Sequence, residues 1–341
     1  MTPPSPDNIM KVASGYGVSR ALLSAVGLGL YTKLADGPLT LDQIMEEYGF
    51  RRRPAMDLLD LLVSAELLGR TGDGEGALYH NTEETAAFLV RNKPDYIGGI
   101  LELWDQRNYR FWADLVEAVR SGKPQSETKH DDAPFFETLY SDPARLHAFM
   151  EAMNGASIRN FETLAKAFPF DRYATMTDVG GADALLSRTV AAAHPHIRCK
   201  SFDLPAVTEI AAGKIAADGL NDRVEAVAGD FFTEPLPKAD IVTMGMILHD
   251  WSLERKKDLV KKAYDALPPG GALIAIEALI DDARRTNTFG LFISLTMLIE
   301  LGDAFDFTNA EFVAWCREAG FSRFEVIPLE GPSSAAIAYK S

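Results

Sequence analysis

The chain has 341 residues, which is longer than one hydrophobic core usually extends, so we expect two lobes or one domain with a helical addition. Apolar residues account for 47 % of the sequence and charged residues for 24 %, a composition typical of a globular protein and not of a disordered chain. The formal net charge of -15 repels phosphate backbones and therefore disfavours nucleic acid as a partner.

Targeting and membrane signals are not evident in the sequence. Residues 1–11 carry proline and aspartate instead of a basic stretch followed by an apolar core, so we predict no secretion signal and a cytoplasmic protein. The longest apolar stretch, residues 289–301, includes polar side chains and is shorter than the ~20 residues that span a bilayer. The two cysteines, Cys199 and Cys316, lack the spacing of a disulfide framework or a zinc site.

The first elements along the chain are predicted to be helices. Apolar residues recur at helical spacing from 9 to 34, which predicts a helical hairpin that ends at the Asp-Gly-Pro of residues 36–38. Thr40 can cap a helix over 41–48, and Gly49 follows that helix.

A second helix is predicted from residue 53 or 54 to 68, because proline is tolerated in the first turn of a helix. The glycine-rich segment 69–76 then lies between two extended pieces, 67–70 and 77–81. This order of elements predicts a winged helix. We interpret residues 1–95 as a mostly helical winged-helix dimerisation domain that also forms a lid.

Winged helices often read DNA, and three arginines stand at 51–53, where the groove-binding helix would start. The strongly acidic chain argues against DNA binding. Adjacent arginines at the start of a helix are also commonly exposed to solvent without binding a partner. A transcription regulator that senses a small ligand stays open as the alternative from a different class of protein.

Residues 96–170 are predicted to be a helical linker that lines an acceptor pocket. The segment is rich in aromatic side chains, which can either wall an apolar pocket or pack helices together. We assign one of them, Trp104, to the substrate. The aromatic residues of this segment include Trp104, Tyr109, Phe111, Trp112, Phe135, Phe136, Tyr140, Phe149 and Phe161.

Residues 171–341 alternate short β-rich runs with helical segments, which predicts a parallel, doubly wound α/β sheet. Ligands of such sheets bind at the carboxyl ends of the strands, so we expect the functional residues just after each run. The predicted strands cover residues 175–179, 197–202, 224–228, 241–244 and 273–277.

Three of these runs end in residues suited to a nucleoside-containing cofactor. The first ends at Asp178 and a glycine turn at Gly180, where the backbone can approach a ligand closely. The second ends at Asp203, whose carboxylate can accept both hydrogen bonds of a ribose diol. The third ends at Asp230 and Phe231, which offer an acceptor for an amino group and a ring to pack on a purine.

The fourth run ends in Leu248-His249-Asp250-Trp251. With this motif, nearly the whole chain resembles the class I S-adenosylmethionine-dependent O-methyltransferases of the plant phenolic, acetylserotonin and bacterial secondary-metabolite type. The matching motifs are Asp178-Val179-Gly180-Gly181, Phe202-Asp203-Leu204-Pro205, Gly229-Asp230-Phe231-Phe232 and Leu248-His249-Asp250-Trp251. The resemblance implies a Rossmann-like methyltransferase domain that binds S-adenosylmethionine without a metal.

The same resemblance implies roles for single residues. His249 corresponds to the family's general base, and Glu277 and Asp306 to the two carboxylates that flank it, although Asp306 is shorter than the usual glutamate. Trp251 would pack near the adenine, and the amino-terminal helices of an intertwined homodimer would close the partner's pocket. The hydroxyl of Ser157 would contact the carboxylate of the cofactor. Leu204 is also assigned to the cofactor-binding site.

The acceptor pocket is assigned by the same resemblance to Trp104, Met153, Ile293 and Met297. Phe292 is also expected along this pocket, and at helical spacing a role in the core is at least as good an interpretation of Phe292, Ile293 and Met297. The chain also departs from the family, with Asp183 or Ala184 where a further glycine is usual, and with Gly245 where plant members have lysine.

Methyl transfer from a sulfonium needs an in-line nucleophile and removal of its proton, and an imidazole can remove that proton near neutral pH. A phenol, with a pKa of about 10, is mostly neutral at pH 7 and needs such help. We therefore predict an S-adenosylmethionine-dependent methyltransferase acting on a hydroxyl of a small aromatic acceptor. A carbon or nitrogen methyltransferase, or a non-methylating relative, is the alternative within the same fold.

Overall fold

The computed structural model describes residues 4–130, 135–140 and 142–341. The chain divides into two compact units, the first formed by the residues up to Arg110 together with Glu151–Ala156, and the second by Phe111–Met150 and Ser157–Ser341. The predicted linker, residues 96–170, is thus shared between the two units. Among the described residues, no helix is long and apolar enough to cross a membrane.

The first unit is mostly helical. Where a helical hairpin was predicted, the chain opens with one helix of 21 residues followed by a helix of 5 residues. The left-handed backbone of Gly29, with φ 73°, separates the two helices. The helices are α1 (Asp7–Gly27), α2 (Leu30–Leu34), α3 (Leu41–Tyr48), α4 (Arg52–Ser64), α5 (Glu83–Phe88) and α6 (Gly98–Leu103), and α7 (Tyr109–Phe111) spans the boundary between the units.

Local capping sets the ends of α3 and α4. The Thr40 hydroxyl accepts from the Gln43 amide at 3.3 Å and the Gln43 side chain accepts from the Thr40 amide at 2.8 Å, as the predicted cap requires. Helix α4 stops before the predicted residue 68. Glu66 takes a left-handed φ of 61°, and the Leu67 amide donates to the Leu62 carbonyl at 2.8 Å, which closes the helix end.

A small antiparallel sheet completes the winged-helix outline. It consists of β1 (Leu39–Thr40), β2 (Gly69–Thr71) and β3 (Leu78–His80) in the order β1-β3-β2. Two of the three arginines noted at the start of the second helix form ion pairs within this unit. Arg52 pairs with Asp42 and Glu75, and Arg53 lies 3.1 Å from Asp57.

The second unit is built on a sheet of seven strands in the order β6-β5-β4-β7-β8-β10-β9. The five predicted strands are present, and they pair in parallel. Two more strands, β9 and β10, extend the sheet in antiparallel pairing and were not predicted. The strands are β4 (Thr175–Val179), β5 (Arg198–Asp203), β6 (Val224–Ala228), β7 (Ile241–Gly245), β8 (Ala272–Glu277), β9 (Arg323–Pro328) and β10 (Ser334–Tyr339).

Helices cover both faces of this sheet, and two hydrophobic cores fill the space between the helices and the strands. The second unit contains α8 (Leu115–Ser121), α9 (Phe135–Tyr140), α11 (Leu185–Ala193), α12 (Pro205–Ala217), α13 (Leu253–Ala266), α14 (Thr288–Leu301) and α15 (Asn309–Ala319), and α10 (Pro143–Ala167) belongs to it except for Glu151–Ala156.

Strand register brings the candidate site together. Val179 pairs with Phe202 across β4 and β5, and Asp203 pairs with Ala228 across β5 and β6. Gly245 pairs with Ile276 across β7 and β8. Because these strands are parallel, their carboxyl ends lie along one edge, and the segments that follow them are neighbours.

Candidate functional site

The turn after β4 leaves no room for a side chain. Gly180 has a φ of 67°, and a Cβ added there would lie 2.3 Å from Cδ1 of Ile247. A Cβ on Gly181 would lie 2.2 Å from the Ser201 hydroxyl. These glycines keep bare backbone at the edge of the sheet, where a ligand can approach it. Ala182 and Ala184 also have positive φ, 47° and 66°, at or beside the positions where the family has a further glycine.

Asp178 lies beneath this turn and is buried. The Thr243 hydroxyl donates to its Oδ1 at 2.8 Å, which joins the ends of β4 and β7. Burial raises the pKa of Asp178 to about 7, although the bond from Thr243 opposes that shift. Its predicted contact with the cofactor stays a prediction.

Asp203 ends β5 and ties the glycine turn to it. Its Oδ2 accepts the Ala182 amide at 2.9 Å, and its Oδ1 accepts the Leu204 amide at 2.7 Å. Burial raises the pKa of Asp203 to about 6, and these two bonds partly offset the shift. Each carboxylate oxygen has a second lone pair, so Asp203 can still accept two hydroxyl hydrogen bonds from a ribose.

Asp230 organises the loop after β6. It accepts the Phe232 amide at 2.8 Å and the Thr233 hydroxyl at 3.1 Å. The Lys262 ammonium donates to the Phe231 carbonyl at 2.8 Å and holds the loop from the other side. Lys262 was not predicted, because the sequence pattern does not distinguish it from the other, solvent-exposed lysines of an amphipathic helix.

Aromatic rings from three segments meet beside this loop. The Phe231 and Trp251 ring centroids are 5.9 Å apart, and the Phe136 centroid is 5.7 Å from that of Trp251. Phe232 lies edge-on to Trp251 at 4.5 Å. Phe231 and Trp251, both predicted to contact an adenine, are therefore neighbours in the structure.

His249 lies in a single 3₁₀ turn, Leu248–Asp250, directly after β7. The backbone reaches this turn through Met246, which has an unusual left-handed φ of 58° and donates its amide to the Ile276 carbonyl at 2.9 Å. The Phe305 amide donates to the His249 carbonyl at 3.0 Å. The main chain of His249 is thus held by the segment that leads to Asp306.

Three carboxylates surround the buried His249 ring. Nδ1 lies 3.2 Å from Oε2 of Glu277 and 3.4 Å from Oδ1 of Asp306, and Nε2 lies 3.3 Å from Oδ1 of Asp250. The structure therefore brings His249, Glu277 and Asp306 together, as the resemblance implied. The shorter Asp306 does reach the ring nitrogen. The contact with Asp250 was not predicted.

The carboxylates decide the charge of the ring. Burial lowers the pKa of His249, but Glu277, Asp250 and Asp306 outweigh it and raise the pKa above the usual range of a histidine. Burial raises the pKa of Glu277 as well. The imidazole and its carboxylates therefore hold protons as a group, and the group binds a proton more tightly than an isolated imidazole does.

The donor atoms of His249, Glu277 and Asp306 lie within 4.8 Å of one another, a spacing at which side chains can share one cation. In this cluster the ring nitrogen is in direct ion-pair contact with both carboxylates. When the ring is protonated, these contacts make the cluster an ion-paired imidazolium.

Helix α14 lies beside the His249 turn and carries two of the predicted acceptor residues. The Asp306 amide donates to the Ser294 hydroxyl on this helix at 3.2 Å. Ile293 is buried and Met297 is partly buried on the same helix. The ring of Phe292 stacks on that of Trp112 with centroids 5.2 Å apart. Trp112 is a candidate wall residue that the sequence analysis noted only within a larger aromatic set.

The remaining predicted residues are distributed between the two units. Ser157 belongs to the second unit and is buried on α10. Trp104 and Met153 belong to the first unit, and both are partly buried. Their predicted contacts with cofactor and substrate stay predictions.

A glycine turn after β4 with carboxylates after β5 and β6 defines a class of α/β protein that binds a nucleoside-containing cofactor. Comparison with known proteins narrows the class. The sequence profile of the O-methyltransferase domain matches residues 112–322, and that of the O-methyltransferase dimerisation domain matches residues 10–91. The chain belongs to this O-methyltransferase family and is an S-adenosylmethionine-dependent methyltransferase.

Individual relatives agree with this assignment over almost the full chain. The tetracenomycin polyketide synthesis 8-O-methyl transferase TcmO of Streptomyces glaucescens is 36 % identical, covering 98 % of this chain and 97 % of the relative. The N,N-dimethyltransferase OxyT of Streptomyces rimosus is 34 % identical, covering 92 % and 90 %. The crystal structure of human N-acetylserotonin methyltransferase in complex with S-adenosylmethionine has a TM-score of 0.89 and 27 % identity, covering 100 % of this chain and 99 % of that chain.

The matched dimerisation domain supports the predicted homodimer. Helix α1 exposes apolar side chains that a second subunit would cover, among them Ile9, Val12 and Tyr16, which are 70 %, 72 % and 72 % exposed. We expect the protein to scatter as a particle of twice 37.3 kDa. Val12→Asp should weaken the dimer, because it buries a carboxylate in an apolar interface, whereas Ser14→Asp adds the same charge at an exposed polar position of α1. Equal masses for both variants and the parent across micromolar dilution would refute this surface.

Proposed function

We propose that the protein transfers a methyl group to a hydroxyl oxygen of a small aromatic acceptor, with His249 as the general base. The observation that carries this proposal is the buried His249 ring, whose Nδ1 lies 3.2 Å from Glu277 and 3.4 Å from Asp306. We infer that these carboxylates orient the ring, so that Nε2, which lies 3.3 Å from Oδ1 of Asp250, is the nitrogen left to meet the acceptor.

When bound, S-adenosylmethionine supplies an electrophilic methyl group attached to a sulfonium. In the proposed reaction the acceptor oxygen forms a bond to this carbon as the carbon–sulfur bond breaks, and the sulfur keeps the electron pair. The hydroxyl proton would pass to Nε2 of His249 in molecules whose imidazole is neutral. Glu277 and Asp306 then stabilise the imidazolium from the opposite nitrogen.

The cofactor would be held by the segments at the carboxyl ends of β4 to β7. Asp203 would accept the ribose hydroxyls, and Gly180 would admit the ligand against bare backbone. Asp230 would accept the adenine amino group, while Phe231 and Trp251 would pack on the ring. The free lone pairs of Asp203, the bare backbone of Gly180 and the proximity of Phe231 to Trp251 support this assignment.

The second candidate is methyl transfer to nitrogen, and the similarity to the N,N-dimethyltransferase OxyT favours it. Nitrogen acceptors that are neutral amines carry their own lone pair, so they need a base less than a hydroxyl does. The buried carboxylate-paired imidazole therefore favours oxygen. Nuclear magnetic resonance of the methylated product distinguishes the two, because O-methyl and N-methyl carbons differ clearly in chemical shift.

The direct test is a panel of phenols and hydroxylated heteroaromatic compounds with cofactor labelled in its methyl group. We expect label in at least one phenol and no change of rate in EDTA, because a sulfonium needs no Lewis acid and the His249 cluster is ion-paired. Aliphatic alcohols of similar size serve as the matched acceptors that should stay unlabelled. Activity that EDTA abolishes and Mg²⁺ or Zn²⁺ restores would reject the metal-free mechanism.

A further inference from the structure

Lys262 lies on α13 and holds the loop of residues 229–235 that follows β6. Its Nζ donates to the carbonyls of Phe231 and Glu234 at 2.8 Å and 3.2 Å, and to the Phe232 carbonyl as well. An ammonium has three N–H donors, so the three carbonyls can use all of them. Asp258, one turn earlier on the helix, is half-exposed and lies 3.9 Å from the same Nζ, so the carbonyls are the closer partners.

The charge of Lys262 gives these contacts their strength. Three carbonyl oxygens that converge on one point repel one another through their partial negative charges. A cation at that point attracts all three, and hydrogen bonds from a charged donor are stronger than those from a neutral one. The shape of the loop therefore depends on a charge that α13 supplies.

The loop carries the carboxylate that is proposed to meet the adenine. The Phe232 amide donates to Oδ1 of Asp230 at 2.8 Å, and the Asp230 amide donates to Oε1 of Glu234 at 3.0 Å. The carbonyls that Lys262 binds therefore belong to the two residues after Asp230 and to the residue that caps its amide. If these carbonyls shift, the Asp230 carboxylate shifts with them.

Arg255, two turns earlier on α13, supports the aromatic side of the same loop. Its Cζ lies 4.5 Å from the centroid of the Phe232 ring and 5.3 Å from that of the Trp251 ring. Seven residues separate Arg255 from Lys262, a spacing that places both side chains on one face of the helix. Phe232 is thus held at its ring by Arg255 and at its carbonyl by Lys262, and its ring centroid is 4.7 Å from that of Phe231.

We propose that Lys262 is a positioning residue for recognition of the base: by binding three loop carbonyls, it holds the loop, and with it the Asp230 carboxylate, where adenine is read. This inference rests on the proposed contact between Asp230 and the adenine amino group. Lys262 acts through the loop and contacts neither cofactor nor acceptor. The property that depends on it is selectivity for adenine over a purine that carries an oxygen in place of the amino group.

Four variants test this role. Lys262→Met removes the charge and the donors but keeps a side chain of similar length, whereas Lys262→Arg keeps a charged donor for the carbonyls. Lys261→Met is the matched control, since this neighbouring lysine is 53 % exposed and pairs with Asp265. Asp230→Ala removes the proposed acceptor itself.

The readout is the ratio of two dissociation constants, measured by isothermal calorimetry for S-adenosylhomocysteine and for S-inosylhomocysteine, whose base carries an oxygen in place of the amino group. We expect the parent to prefer the adenine compound by at least about tenfold, because the other compound cannot donate to the carboxylate. Lys262→Met should bring the ratio close to one by weakening S-adenosylhomocysteine alone. Lys262→Arg and Lys261→Met should keep the parental ratio.

The ratio separates positioning from stability. A loop that is merely less stable binds both compounds more weakly by the same factor, because both must order it. Neither compound needs an acceptor, so the measurement does not depend on the methyl-transfer step or on His249.

A parental ratio in Lys262→Met, or an equal loss of affinity for both compounds, overturns the proposal and leaves Lys262 a residue of loop stability. Asp230→Ala distinguishes this result from a failure of the proposed adenine contact. If Lys262→Met loses the selectivity and Asp230→Ala keeps it, Lys262 positions the loop for reading the base and the contact assigned to Asp230 fails. If the parent itself shows no selectivity, both assignments fail, and if both variants lose it, both hold.

Discussion

His249→Ala is expected to lower kcat by about 10²- to 10⁴-fold at neutral pH, the usual contribution of a general base. The affinity for S-adenosylhomocysteine should stay close to that of the parent, since the proposed cofactor contacts come from other strand ends. Steady-state kinetics with a good phenolic acceptor measure the first quantity, and calorimetry measures the second. His196→Ala is the matched control, because His196 precedes β5 and so lies at the opposite edge of the sheet from the strand ends of the candidate site.

The pH dependence of this variant separates a base from a structural histidine. The parent needs the neutral imidazole, and because the pKa of His249 is raised, its rate should still increase with pH above neutrality. In His249→Ala the rate should instead follow the ionisation of the acceptor, so a nitrophenol, which ionises at lower pH, should be rescued at lower pH than a simple phenol. Parental turnover by His249→Ala with either acceptor would remove the base assignment.

Asp203→Ala is expected to reduce affinity for S-adenosylhomocysteine by at least a hundredfold. Two hydrogen bonds from a ribose diol to a carboxylate contribute about 1.5–3 kcal/mol each, and the variant removes both. It also frees the Ala182 and Leu204 amides that Asp203 accepts, at 2.9 Å and 2.7 Å. Isothermal calorimetry gives the affinity, and the melting temperature shows whether the turn still folds.

Affinity should also depend on pH through the same residue. Burial raises the pKa of Asp203 to about 6, so cofactor affinity should fall as the pH drops through about 6 and the carboxylate becomes protonated. Asp203→Asn, which keeps one acceptor oxygen, should bind more tightly than Asp203→Ala and lose this pH dependence. Asp222→Ala removes an exposed carboxylate of the same charge and should bind as the parent does. A variant Asp203→Ala with parental affinity would place the ribose elsewhere.

Much of the fold was predictable because local signals were strong. Thr40 and Gly49 bound α3 by capping chemistry that needs no tertiary contact. Strands β7 and β8 were visible as apolar runs, since both of their faces are buried. Strand β10 is buried on both faces as well, but its sequence Ser-Ala-Ala-Ile-Ala-Tyr is rich in alanine, which has low strand propensity, so it escaped prediction.

The candidate site was predictable in its parts and not in its geometry. Residues after each strand were identifiable because parallel strands present their carboxyl ends at one edge. That His249 meets Glu277 depends on the pairing of β7 with β8, which a linear sequence does not state. The short distance between Asp306 and the His249 ring depends on the fold of the segment between α14 and α15.

The sequence by itself therefore determined the order of the five parallel strands, the family and the residue types at the strand ends, because these follow from local periodicity and motifs. Only the tertiary structure determined the burial and the pKa values of the ionisable side chains near the site. Lys256 stands among charged residues on a helix whose pattern suggests a solvated position, yet packing buries it completely. Burial alone would lower the pKa of His249. The pKa is raised instead, because three carboxylates surround the ring. Such shifts depend on distances and exclusion of water, and only the folded chain sets these quantities.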